Sequence, residues 1–147
     1  MTIDITRNER KLANRLNEFS GNFMSNAKWT KVFVKLSENK DLISKCFIKD
    51  IFDDLLREIK IPSIENFSTT FNDNGIKDVM TGGPSPFKQI EWLEFPSQWT
   101  IKREMRGQTL QPQKFNQDIL KIKNLLHDVG QLEIECDEDK LIIYGYK

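Results

Sequence analysis

The sequence predicts an α+β fold in which a mainly antiparallel sheet, a meander plus a C-terminal hairpin, carries two or three helices. Three observations point there. Helical and strand periodicities fall in separate blocks, in the order helix, helix, strands, helix, hairpin, which is the pattern of an α+β domain. Two turn signals, Asn72-Asp73-Asn74-Gly75 and Gly82-Gly83-Pro84 with Pro86, separate short apolar stretches; glycine and asparagine accept left-handed conformations there and proline presets φ. The stretch Phe87 to Phe95 carries large apolar residues on both parities, Phe87, Leu93 and Phe95 on one and Ile90 and Trp92 on the other. A strand with one wet face would keep them on a single parity. This stretch therefore reads as an inner strand, with helices on one side and loops or a partner on the other.

The elements follow in order. Thr6 and Glu9 fit a capping box, with Thr6 as N-cap of a helix running to about Phe19. Ser25 caps a second helix, and Trp29, Val32, Phe33 and Leu36 share its apolar face. A strand centres on Lys45 to Ile51, and Asp53 to Ile59 reads as one or two helical turns. Ile64 to Phe71 has strand character, with Ile76 to Thr81 as its return across the Asn-Gly turn. Pro96 ends the central strand. Ser97 to Gln111 reads as a surface loop or short helix anchored by Trp99. Pro112 suits the first position of a helix, and Phe115, Ile119, Ile122, Leu126 and Val129 form its stripe up to Gly130. Leu132 to Cys136 and Leu141 to Tyr146 make a terminal hairpin around Asp137-Glu138-Asp139, with Glu133, Glu135 and Asp137 on a wet face.

The chain has 147 residues, which predicts one domain, with residues 1–22 as an N-terminal helical arm and 25–147 as the core. It carries 22 basic and 22 acidic residues. A net charge of zero makes nucleic acid an unexpected partner. The opening MTIDITRNER lacks a signal-peptide core, and no segment approaches ~18 apolar residues; this predicts a soluble cytoplasmic protein with no membrane partner. The charge is segregated, however: residues 101–123 hold 6 basic and 2 acidic groups, and 124–147 hold 2 basic and 6 acidic ones. Cys46 and Cys136 lie in apolar patterns and read as buried free thiols.

Few constellations carry chemistry. His127 is the only histidine, so histidine triads and multi-histidine metal sites drop out. No phosphate-binding loop occurs, and the acidic turn 137–139 lacks the spacing of a calcium loop. No cofactor and no metal is expected. Three groups remain. Glu91 beside Leu93 and Phe95 could act as a general acid if it and Trp92 line a pocket; the plainer reading pairs Glu91 with a Lys or Arg of a neighbouring strand, or turns it to water, and puts Ile90 and Trp92 in the core. Lys102, Arg103 and Arg106 near Trp99 could contact phosphate. The acidic set Glu133, Glu135, Asp137, Glu138 and Asp139 would suit a basic protein partner.

Ser25-Asn26-Ala27-Lys28-Trp29, the stretch GGPSPFKQIEWLEFP at 82–96 and Ile143-Tyr144-Gly145-Tyr146 together resemble a group of small uncharacterised bacterial proteins. These share an N-x-K-W helix start and a Gly-Pro turn before an IEW-I/L-E-x-P strand. The resemblance spans Ser25 to Tyr146 and implies no activity. In size and type such domains look like immunity proteins of bacterial toxin systems. The expectation is therefore a non-catalytic protein-binding module of toxin-immunity type. The alternatives are a carboxylate enzyme using Glu91 and a phosphate or nucleic-acid binder using Lys102, Arg103 and Arg106.

Overall fold

The structure is a computed structural model and describes residues 2–77 and 84–147. Helix α1 spans Thr2–Leu16. Thr6 is therefore inside the helix and not its N-cap: Thr2 to Ile5 contain no glycine or proline to stop the helix upstream of the capping signature. Helix α2, Asn26–Glu38, starts at Ser25, whose side chain accepts from the Lys28 amide, and buries Trp29, Val32, Phe33 and Leu36. Strand β1 is Cys46–Asp50, as its parity pattern predicts.

The segment after β1 is a strand, β2 (Arg57–Ile59), and not helical turns. Asp50 and Asp53 accept from the amides of Phe52 and Leu55, two residues on in each case. These local bonds favour a turn over a helix. The reverse correction applies to 64–71. A 3-10 turn at Ile64–Asn66 leads into a short helix α3, Phe67–Thr70, and only β3, Phe71–Asn72, is extended. Phe67 and Phe71 stand four apart, and their rings stack with centroids 4.8 Å apart, a helical spacing that competed with the strand pattern. Strand β4, Gly75–Ile76, returns across the Asn-Gly turn and pairs also with β5, Ser85–Pro86. The Gly82-Gly83 turn and the rest of the predicted return strand lie outside the described residues.

Phe87–Gln89 form a 3-10 turn, and the central strand β6 begins at Ile90 and runs through Pro96. Beyond it the chain departs most from expectation. The predicted loop at 97–111 is a strand, β7 (Gln98–Met105), paired with β8 (Gln108–Asn116) in a two-stranded ribbon. Arg106 and Gly107 turn it with φ of 53° and 78°, the two positive values that a two-residue hairpin loop needs. Pro112 sits in β8 at the register shift, where a missing donor is tolerated. Helix α4 therefore starts later, at Ile119, with the Asp118 side chain capping the Lys121 amide; it ends at Leu126 and buries Ile119, Ile122 and Leu126. Phe115 belongs to the ribbon and stacks on Trp99. Strands β9 (Ile134–Cys136) and β10 (Lys140–Tyr144) form the predicted C-terminal hairpin.

The main sheet has five strands in the order β2-β1-β6-β10-β9, every pair antiparallel. Cys46, Ile48, Leu93, Phe95, Leu141 and Ile143 point to one face and join the core beneath α2 and α4. Phe47, Trp92, Ile142 and Tyr144, on the opposite face, are not members of this core. One side chain fixes how the ribbon leaves the body. The Gln117 amide oxygen accepts from the amides of Ser44 and Lys45, and its nitrogen donates to the carbonyls of Lys45 and Pro96. Gln117→Ala leaves four backbone groups without these partners. It should lower stability by ~1–3 kcal/mol and raise amide exchange at the ribbon base, as denaturation and hydrogen exchange would read. Unchanged exchange at Ser44, Lys45 and Trp99 would refute the clamp.

Candidate functional site

The register assigns the side chains of the open sheet face. Glu58, Phe47, Glu94, Ile142 and Glu135 lie in one cross-strand row. Two residues along, Lys49, Trp92 and Tyr144 form a second row. The contacts agree. Trp92 meets Tyr144 edge to face with ring centroids 6.2 Å apart, and its indole Nε1 donates to Glu94 Oε1 at 3.2 Å. The ammonium groups of Lys49, Lys147 and Lys45 lie over the rings of Trp92, Tyr144 and Phe47 at 5.6, 4.7 and 5.7 Å. Ile142 is only 6% exposed, because neighbours on the same face cover it. The surface is thus an aromatic floor topped by charges of both signs. Trp92 is half-buried on it; the expectation of a core tryptophan is corrected, while Ile90 is buried as expected.

The acidic hairpin adjoins this floor. Lys147 Nζ lies 3.3 Å from Glu133 Oε1 and 3.1 Å from Glu135 Oε1, and Tyr144 donates to Glu135 Oε2 at 3.0 Å. The hydrogen bonds from Lys147 and then Tyr144 hold the Glu135 carboxyl below the usual range, and the same carboxylates push the Lys147 ammonium up. Asp137 has a structural duty: its Oδ1 accepts from the Asp139 and Lys140 amides, which lowers its pKa and closes the turn. Glu138 and Asp139 are exposed at the tip. The five acidic residues are together in space, but only part of their charge points outward uncommitted to a local bond. Lys147, the last residue, was invisible as a partner in the sequence, because nothing local links it to Glu133 and Glu135.

Glu91 has a different place. Lys49 pairs with Trp92 and Asp50 with Ile90, so Glu91 is the extra residue of a β-bulge, a device that turns one side chain out of its strand's alternation. Its carboxylate lies 3.2 Å from Lys49 Nζ and 3.5 Å from Arg15, which also donates to the Ile51 carbonyl and so ties α1 to the sheet. The pairing with a neighbouring cation is the arrangement present. Neither Glu91 nor Trp92 lines the clefts of about 420, 710 and 290 Å³ among the described residues. The 710 Å³ cleft lies between α1 and α2, against Leu12, Leu16, Met24 and Trp29.

Lys102, Arg103 and Arg106 are exposed on the ribbon. Adjacent strand residues point to opposite faces, so Lys102 and Arg103 do not converge. His127 is exposed at the end of α4. Cys46 is buried and Cys136 partly so, both free, and burial pushes the Cys46 thiol well up, away from reactivity. Among the described residues, no group of three potential metal ligands occurs, and no helix is long and apolar enough to cross a membrane.

No curated protein and no solved structure matches the chain. A family model does, over residues 12–147, from inside α1 to the last residue of the acidic face. The chain belongs to that family, DUF6678, a family of unknown function.

Proposed function

We propose that the protein is a non-catalytic protein-binding module, of the kind that occludes a partner as toxin-immunity proteins do. One observation carries the reading: a sheet face outside the helix-packed core, floored by Phe47, Trp92 and Tyr144, runs into an acidic hairpin. Interfaces of stable complexes have this anatomy, with aromatic anchors at the centre and charges at the rim. The acidic rim fits a partner with a basic patch, whose approach it would accelerate.

The test is capture of a partner from the source cell by the native chain and by two variants. One is Trp92→Ala. The other reverses Glu133, Glu135, Glu138 and Asp139 to lysine and spares the turn-forming Asp137. The expected result is one partner, with Trp92→Ala weakening it by about 2 kcal/mol, roughly thirtyfold, and the reversed variant losing it. Stoichiometric addition of the native chain should also suppress the partner's activity. A partner held equally by all three chains would place the interface elsewhere, and no specific partner would end the reading.

A further inference from the structure

We propose that the ribbon β7–β8 of one chain docks on the open sheet face and acidic hairpin of a second copy, and reciprocally, giving a two-fold dimer. The inference rests on reading that face as a protein-binding surface, and it names the occupant as this chain's own ribbon.

The ribbon gains little support from the rest of the fold. Its strands pack on each other and share few contacts with the body beyond their base. An isolated two-stranded hairpin is marginal in water and needs a further surface to pack on. The ribbon is also two-faced. The register sets Trp99 against Phe115, Ile101 against Gln113 and Arg103 against Leu110, so Trp99, Phe115, Ile101 and Leu110 share one side, with Arg103 and Gln113 among them. Ile101 is 48% exposed there. This apolar side starts at the open sheet face, since the Lys45 ammonium is held over Phe47 at 5.7 Å and over Trp99 at 5.4 Å.

Charge selects the second copy. Residues 98–116 carry four basic groups, Lys102, Arg103, Arg106 and Lys114, against Glu104. The hairpin at 133–140 carries five acidic groups against Lys140. A chain that is neutral in total, yet split into a cationic ribbon and an anionic hairpin, complements itself. The apolar sides match as well, Ile101 and Leu110 against the floor of Phe47, Trp92 and Tyr144. Because each copy offers both a ribbon and a face, two contacts related by a two-fold axis close the assembly and leave no open end. Size sets the strength. The eight residues of β7 extend about 25 Å at about 3.4 Å each. A face that long and about 10 Å wide covers roughly 250 Å², so two reciprocal contacts bury roughly 1,000 Å² counting both sides, near the lower bound of specific interfaces. The dimer should be weak, concentration-dependent and loosened by salt, as rim charge pairs are.

The experiment is sedimentation equilibrium on four full-length chains. They are the native chain, a ribbon variant (Lys102→Glu, Arg103→Glu, Arg106→Glu), a hairpin variant (Glu135→Lys, Glu138→Lys, Asp139→Lys) and the chain carrying all six changes. Circular dichroism on each shows that the fold persists. The native chain should dimerise at about 100 µM, a concentration suited to a contact of this size. Each triple variant should weaken the dimer at least tenfold, and the six-fold variant should recover it, because the reversed charges again face opposite ones. A native monomer overturns the proposal, as does a dimer indifferent to either triple reversal, or a six-fold variant that stays monomeric. The outcome is separable from that of the partner reading. A monomeric native chain that still captures a partner through Trp92 overturns the dimer alone; a dimer with no captured partner overturns the foreign-partner reading alone.

Discussion

Gly145→Ala should be among the most damaging single substitutions in this chain, although it adds one methyl. Gly145 follows β10 and donates its amide to the Glu91 carbonyl at 2.7 Å, closing the bulge of the central strand. A Cβ there would lie against the Ile90 carbonyl oxygen, far inside van der Waals contact, with Trp29 Cζ2 at 3.3 Å and the Glu91 carbonyl oxygen at 3.4 Å on its other sides. The first obstacle is backbone, so no rotamer change relieves it. Strand β10 must separate from β6, and the Gly145 and Tyr146 amides then lose their shared acceptor. Overpacking of a well-filled site costs ~1–3 kcal/mol, and lost backbone pairing adds to that, so urea denaturation should show a loss of roughly 3 kcal/mol or more. Gly107→Ala is the internal control. It sits at φ 78° with nothing within 4 Å, and should cost only the ~1–2 kcal/mol of a left-handed alanine. If the two variants lose the same amount, the close approach of β10 to β6 is wrong.

The glycine in the Ile143-Tyr144-Gly145-Tyr146 motif thus has a physical reason that the sequence alone does not contain. The same division holds elsewhere. Elements with a strong single period were legible: the stripe of α2, the parity of β1 and the alternation of the C-terminal hairpin. The errors fall where two local signals compete. Pro112 and the stripe through Phe115 suggested an early helix start. Yet Phe115 packs on Trp99 in the ribbon, and the Asp118 cap sets the true start. The strands of the ribbon were illegible for a related reason: of their described side chains only Trp99, Leu110 and Phe115 are partly buried, so they lack the alternation that a half-buried strand shows.

The candidate surface was legible in part. The acidic run 133–139 can be seen in one dimension, because its members are neighbours in sequence. The aromatic floor cannot. Phe47, Trp92 and Tyr144 come from three strands, and only the register β1-β6-β10 makes them adjacent. Glu91 shows the limit of parity arguments. Simple alternation puts it beside Leu93 and Phe95, but the bulge turns it toward Lys49 and Arg15. No residue type in IEWLEFP announces a bulge at that position.

Phe33→Ala should cost ~3–5 kcal/mol, the range of large aromatic deletions from cores, and much more than Trp92→Ala. Phe33 is 0% exposed. Its ring stacks on Trp29, Phe71 and Phe87 with centroids 5.9, 4.6 and 5.6 Å away. These partners come from α2, β3 and the turn before β6, so one ring joins the helix layer to the small sheet and to the entry of the central strand. Its removal leaves a cavity bounded by rigid aromatics, which collapse poorly, so the cost should sit toward the upper end. Trp92 is larger, but its deletion opens onto solvent and lets Tyr144 and the Lys49 stem relax over the gap. A falling thermal midpoint for Phe33→Ala with a nearly unchanged one for Trp92→Ala is the expected pair of results. The reverse order would put Trp92 in the core and Phe33 on the surface, and would remove the aromatic floor on which both the partner reading and the dimer depend.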